Sequence, residues 1–488
     1  MKNERSSAVI VIISLITITL YRLSNTSADI DLWGYMSFGK LFWEGNSFPY
    51  RDPFSYVSNQ ELWIYHEWLT GVLLYKIYDL FGEAGLQILR YLIGFSTAGL
   101  VYASARLRGA ERLSSALGVF FGTIAFGIGY APVRAQIFTY FLFVLVVFIL
   151  EAARKKERWE YLLLLIPIEI LWCNLHGGFV AGLGLIAIYS FGQILSGRPF
   201  LPFLFALVGS VISTLINPYG VSYWFNIYSA ISMGRPFIAE WWSVYAAMKA
   251  GYGTYNHLFF ILYLSLSMLA LLWYRWKDIT DILVLVITAF LGFQSNRHEV
   301  FFLLSFSIYL PRVFMAYVNR LTSDPKFLNL IARLNWKKST AVTLSLILFP
   351  IYNISRVELL RISLPSKPTV QSGFYYPLGA IQYIRDRNLT GNILTDFEWG
   401  EFVMWELYPK CLVGMDGRYE TVYPKQVFDR YVEFYFARNE WRIFLDNYPH
   451  DMILIKRSAN VYPILHRQEN WCEVYSDVGS ALFIRCNR

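Results

Sequence analysis

The stretch Arg134–Lys156 reads RAQIFTYFLFVLVVFILEAARKK. No side chain between Gln136 and Glu151 is charged, and the basic residues Arg154, Lys155 and Lys156 close the run. The hydrocarbon core of a bilayer takes about 20 mostly apolar helical residues. A backbone deprived of water must also satisfy its own hydrogen bonds, which a helix does within one segment. The run therefore reads as a transmembrane helix over 134–151 ending in a basic loop.

Working outward, similar runs lie near 8–24, 86–106, 113–130, 159–175, 178–196, 200–217, 257–275, 279–295, 299–318 and 338–356, about eleven spans in all. Composition agrees: 56% of the 488 residues are apolar and 16% charged, against about 45–50% and about 25% in soluble domains. Mean hydropathy is +0.38. The net charge of +8 comes from Lys and Arg residues that punctuate apolar runs without forming a stripe, so no nucleic-acid partner is expected. After Arg5 the apolar run reaches Tyr21-Arg22-Leu23 without a small-x-small cleavage site, which reads as a retained first span. Cys173, Cys411, Cys472 and Cys486 match no zinc spacing.

Basic loops set the orientation. Lys2 and Arg5, Arg106–Arg112, Arg154–Lys156, Arg198, Arg275–Lys277 and the segment from Arg312 to Lys338 all fall on one side if the chain has about eleven spans. That side is read as cytoplasmic, with the N-terminus there. Residues 66–82 carry His66, Glu67, Lys76 and Asp79 and read as an amphipathic helix along the outer interface. The expected division is a transmembrane domain, 1–356, whose outer loop 25–85 carries interfacial helices, and an extracytoplasmic soluble α/β domain, 357–488. In that tail, apolar runs near 392–396, 411–415, 451–455 and 481–484 read as strands. Helical stretches near 400–407 and 424–447 separate the first three. Cys472 and Cys486 fall on adjacent expected strands and could pair in an oxidising compartment.

Sorted by side, the outer face collects Asp29 and Asp31, Arg51-Asp52, His66-Glu67, Arg134, Asn174 and His176, Glu240 and Arg297-His298-Glu299. The basic loops show no comparable set of histidines and carboxylates. Ionisable residues near the hydrocarbon boundary cost free energy unless paired or hydrated, so the mixture suggests a polar cavity. Each also has a plainer reading as an interfacial anchor or turn residue. A transferase working outside the cytoplasm needs a donor delivered by the membrane, and a polyprenyl-phosphate sugar meets that need. Transfer requires a carboxylate to take the acceptor proton, for which Asp29 or Asp31 is suited. It also requires cationic groups or a metal at the departing phosphate, where Arg134, Arg297 and His298 are candidates. His66, Glu67, Asn174, His176, Glu240 and Glu299 are candidate cavity or acceptor residues. In the tail, Asp416 and Arg418 follow an expected strand of a mainly parallel sheet, at an edge where ligands usually bind.

The Asp-x-Asp after the first span and the long outer loop with interfacial helices resemble the GT-C superfamily of membrane glycosyltransferases, which use polyprenyl-phosphate-linked sugars. So do Phe81-Gly82 followed by Leu89-Arg90 and the next span, and the many spans before a soluble tail. The resemblance implies that Asp29 or Asp31 is the base or a metal-side carboxylate, with a divalent cation as the candidate cofactor. Membrane lipids, the lipid-linked donor and an acceptor are then the expected partners. The sequence departs from the pattern at His66-Glu67-Trp68-Leu69, where aminoarabinose and mannosyl transferases often show a Pro-Pro-Leu phrase. Glu240-Trp241-Trp242 resembles the Trp-Trp-Asp motif of oligosaccharyltransferases but lies between spans and lacks the Asp. Alternatives are a lipid-linked glycan ligase or polymerase, and a non-enzymatic transporter or assembly scaffold.

Overall fold

The structure, a computed structural model, describes residues 2–45, 47–130, 132–235, 238–274, 278–322, 344, 347–367 and 374–486. In chain order the longer helices are α1 (Lys2–Arg22), α2 (Leu32–Glu44), α3 (Trp68–Leu107), α4 (Arg112–Gly129), α5 (Gln136–Lys156), α6 (Leu165–Leu175), α7 (Val180–Leu195), α8 (Leu201–Ser213), α9 (Val221–Ser232), α10 (Val244–Lys249), α11 (Thr254–Tyr274), α12 (Ile279–Gln294), α13 (Glu299–Thr322), α14 (Leu378–Asp386), α15 (Gly400–Leu407) and α16 (Lys425–Tyr435). The chain packs as two compact units. The first comprises Met1–Thr26, Gln87–Val221 and Ser232–Arg361; the second comprises Ser27–Leu86, Ser222–Ile231 and Ile362–Arg488.

The first unit is helical. Among the described residues, five helical stretches are long and apolar enough to cross a membrane: Trp68–Leu107, Arg112–Gly129, Gln136–Lys156, Gly177–Leu195 and Tyr255–Leu272. Ile10–Arg22, Leu201–Ser213 and Ile279–Gln294 are apolar but shorter. The expected span at 159–175 is divided between a 3₁₀ stretch, Trp159–Leu164, and α6. The candidate at 338–356 lies largely outside the described residues, as do the basic residues from Lys326 to Lys338. Helix α3 is broken at Gly82, whose φ of 62° is a left-handed backbone that glycine adopts without steric cost. The break falls at the last residue of the stretch 66–82. Helices α4 and α13 approach closely because Gly118 has no side chain. A Cβ there would lie 2.5 Å from the Ser307 carbonyl oxygen and 2.8 Å from the Pro311 ring, the small-residue contact common between apolar helices.

One expectation is corrected here. The basic loops do have carboxylate partners. Arg108, just beyond α3, pairs with Glu151 of α5 at 2.7 Å and with Asp281 of α12. Arg154 pairs with Asp278 and lies 3.8 Å from Asp281. The Tyr189 hydroxyl donates to Glu151 at 2.7 Å and contacts the Tyr309 hydroxyl at 2.6 Å. Arg108, Glu151, Arg154 and Asp281 are all buried. The partners come from separate helices, so spacing along the chain does not show that they meet.

The second unit is built on a five-stranded sheet of order β2-β1-β3-β5-β4, with β1 (Gly391–Thr395), β2 (Cys411–Val413), β3 (Met452–Lys456), β4 (Trp471–Ser476) and β5 (Ser480–Arg485). The β2, β1 and β3 strands are parallel, whereas β5 and β4 return antiparallel. The mainly parallel sheet expected from the sequence is therefore mixed. The central strand β3 is an unbroken apolar run, Met452–Ile455, buried throughout, as a strand covered on both faces requires. A disulfide joins Cys472 of β4 to Cys486, just after β5. The free edge of β2 is covered by the segment between the first two candidate spans. Val413 N–H donates to Phe54 O at 2.9 Å, and Tyr56 N–H donates to Val413 O at 3.3 Å. An exposed strand edge is thereby closed, and Ser27–Leu86 packs with the tail as one unit.

Candidate functional site

In the second unit, helix α2 begins at Leu32, immediately after Asp31. The first amide groups of a helix have no partner within it. Here the Gly34 N–H donates to Glu401 Oε2 at 2.9 Å, the carboxylate coming from α15. Gly34 makes the approach possible, since a Cβ on it would fall 2.3 Å from that oxygen. Tyr376 helps hold the same loop: Trp33 Nε1–H donates to its hydroxyl at 3.0 Å, and that hydroxyl donates to Asp29 O at 3.1 Å. Gly417, in the turn after β2, brings the chain between two of the acids. A Cβ there would lie 2.8 Å from Glu401 Oε1 and 3.6 Å from Asp31 Oδ1. Asp31 and Glu401 thus border one turn, and Asp416 adjoins it.

Burial and charge crowding act together on Glu401. Glu401 is buried, and burial, then Asp31 and Asp416, push its carboxyl well above the usual carboxylate range. Arg418 opposes this only in part. Its guanidinium is already committed. Nη2 and Nε grip Asp416 at 2.7 and 3.0 Å, Nη1 reaches Asp52 at 2.7 Å, and the plane lies 5.2 and 5.1 Å from the Phe54 and Trp63 ring centres. The fork geometry suits a carboxylate gripped through two bonds. Burial raises the Asp52 carboxyl, with Arg418 acting against it. Asp416 and Arg418 are therefore turned inward. Glu67 and His66 belong to this unit also, with His66 Nε2 3.7 Å from Glu67 Oε1 and the His66 carbonyl accepting from the Tyr223 hydroxyl at 3.3 Å.

Asp29 Oδ1 accepts from the Asp31 N–H at 3.1 Å, which directs it along its own turn. Of the Asp-x-Asp pair, Asp31 borders the Glu401 turn. Among the described residues no group of three or more His, Cys, Asp or Glu side chains is arranged to hold a metal ion.

The first unit gathers a second set. Two 3₁₀ turns, Ala239–Trp241 and Asn296–His298, are pinned together. Asn296 N–H donates to Trp242 O at 2.9 Å, its side-chain amide donates to Ala239 O at 2.8 Å, and Ser295 Oγ donates to Glu240 O at 3.3 Å. Arg134, just before α5, then meets Glu240 at 2.8 Å. The guanidiniums of Arg235 and Arg297 lie 4.1 and 5.0 Å from the Trp241 ring centre, and the His298 ring meets its edge at 5.9 Å. Burial would raise the Glu240 carboxyl, but Arg134 and Arg297 outweigh it and hold the group at about 2. Burial, then Arg297, lowers His298 to about 4. Both effects favour the neutral imidazole of His298. The sequence placed Arg134, Arg297, His298 and Glu240 on one side of the membrane; the structure brings them together.

The remaining candidates have partners nearby. The Asn174 amide donates to Ile170 O at 2.7 Å and Ile216 O at 2.9 Å. His176 Nδ1 accepts from Gly178 N–H at 2.8 Å and contacts Thr139 Oγ1 at 2.8 Å. Glu299 is buried 2.5 Å from His257 Nδ1. Glu401 and Asp52 were not among the candidate site residues. Glu401 follows Trp399-Gly400 as an ordinary helical acid in the sequence, and only the α2–α15 packing shows its role. Asp52 carried a faint signal in Arg51-Asp52-Pro53.

No protein-family pattern matches the chain. No curated protein matches it either. Solved structures do share its fold. The apo oligosaccharyltransferase of Archaeoglobus fulgidus aligns with a TM-score of 0.61 at 12% identity, covering 98% of this chain and 74% of that one. The same enzyme tethered to an acceptor peptide with the NVT sequon aligns with a TM-score of 0.59 at 12% identity and the same coverage. Apo ArnT of Cupriavidus metallidurans aligns with a TM-score of 0.53 at 14% identity, covering 99% of this chain and 98% of that one. This is the likeness of fold that the GT-C resemblance implies.

Proposed function

We propose that the chain is a membrane glycosyltransferase that moves a sugar from a polyprenyl-phosphate-linked donor to an acceptor at the outer face of the membrane. The observation that carries this reading is Asp31, held at the start of α2 beside the buried Glu401. A carboxylate fixed at such a place can serve as a general base. Asp31 takes the acceptor hydroxyl proton as that oxygen bonds to C1 of the sugar. The bond from C1 to the phosphate oxygen breaks, and the polyprenyl phosphate leaves with the electron pair. The charge that develops there calls for cationic groups. Glu401 is a positioning residue that fixes the first turn of α2. The disulfide between Cys472 and Cys486 supports an oxidising, extracytoplasmic setting for the second unit.

The test uses the purified full chain with a panel of polyprenyl-phosphate sugars labelled in the sugar. Removal of a general base costs about 10²–10⁴-fold, so Asp31→Asn is expected to lose turnover by that factor with donor binding retained. Unchanged turnover in Asp31→Asn removes the base assignment. A full chain that binds none of the labelled donors removes the donor class.

A further inference from the structure

A recess of 1390 Å³ lies between α1, α3 and α4. Its walls are apolar, formed by Val11, Leu15, Phe95, Ala116 and Val119 among others, and its charged lining residues are Arg106, Glu111 and Arg112. These three belong to one short stretch, where α3 ends and α4 begins, and all three are exposed. Among the described residues neither arginine has a carboxylate at ion-pair distance; Arg106 Nη1 donates to the Ala110 carbonyl at 2.5 Å. Two guanidiniums against one carboxylate leave that end cationic. The wall is open where α3 carries Gly99, since a Cβ there meets nothing within 4 Å.

We infer that this recess binds an anionic phospholipid of the surrounding bilayer, its tails between α1, α3 and α4 and its phosphate at Arg106 and Arg112. An apolar recess among apolar helices, of which α3 and α4 are long and apolar enough to span a membrane, is filled by hydrocarbon at little cost. A basic rim between membrane helices selects anionic headgroups. The lining shares no residue with the set around Trp241, so the site stands apart from the residues expected at the donor phosphate.

The experiment is native mass spectrometry of the delipidated full chain, titrated in turn with phosphatidylglycerol, phosphatidylcholine and a polyprenyl phosphate. One phosphatidylglycerol is expected to bind about 10-fold more tightly than phosphatidylcholine, a preference that Arg106→Gln with Arg112→Gln abolishes. Gly99→Trp, which fills the open wall, is expected to lower retention of both phospholipids, with its thermal midpoint checked against the parent chain. If Gly99→Trp does not fold, the exposed arginine pair still decides the question. Equal retention of the two phospholipids, or a preference that survives loss of both arginines, overturns the proposal. So does a polyprenyl phosphate that displaces phosphatidylglycerol from this recess, which would make it a carrier site.

Discussion

Replacement of Glu401 by Gln tests the acidic site through its proton. In the folded chain the Glu401 carboxyl is raised well above its usual range by burial and by Asp31 and Asp416. In the unfolded chain it titrates near the ordinary value of about 4.3. Between those two values the folded state binds the extra proton, so this group's contribution is fully present below the unfolded value and is lost as pH rises toward the folded one. The slope is about 1.36 kcal/mol for each pH unit in that window. Gln cannot ionise, yet its amide oxygen can still accept from the Gly34 N–H now bonded at 2.9 Å. Glu401→Gln should therefore flatten the fall in thermal midpoint with rising pH and be the more stable protein on the alkaline side. A shift of about 2–4 °C for each kcal/mol is expected for a unit of this size, read by tryptophan fluorescence in detergent from pH 5 to 9. Turnover should persist with a displaced pH profile, because Glu401 positions Asp31 and does not take the acceptor proton. Parallel stability curves for the parent and Glu401→Gln would show that the proton is not held there.

Further outcomes follow from the same packing. Gly34→Ala places a methyl group 2.3 Å from Glu401 Oε2, so it should cost about 1–3 kcal/mol, the usual range for overpacking; an unchanged melting temperature would refute the contact. Arg418→Met strands the buried Asp52 and Asp416 carboxylates, at a cost of about 3–5 kcal/mol, and Asp52→Asn in the same chain should recover part of it in a double-mutant cycle. Arg108→Gln should likewise lower the melting temperature, with partial rescue by Asp281→Asn, since each lies within contact of the other. Lys156→Cys should react with an impermeant thiol reagent only after the cells are opened; labelling in intact cells would reverse the orientation read from the basic loops.

Much of the helical layer was legible in the sequence because an apolar run closed by basic residues carries its own length and period. Arg134–Lys156 is such a run, and the helix Gln136–Lys156 occupies most of it. The strands β1, β2, β3 and β5 were legible for a similar reason, as short apolar runs between turn residues. Asp31 and Asp416 stood out as acids beside structural boundaries. What the sequence by itself determined is therefore local: which segments are apolar, where they end, and which polar residues flank them. Tertiary structure alone decided that Phe54 and Tyr56 close the β2 edge, that the first outer segment packs with the tail, and that Glu401 meets Gly34 across 367 residues. It also decided that Arg418 is saturated by Asp416 and Asp52 and that the basic-loop arginines find Glu151 and Asp281. The physical reason is that a buried charge is stable only with a partner, and which partner it finds depends on chain packing that no local spacing records.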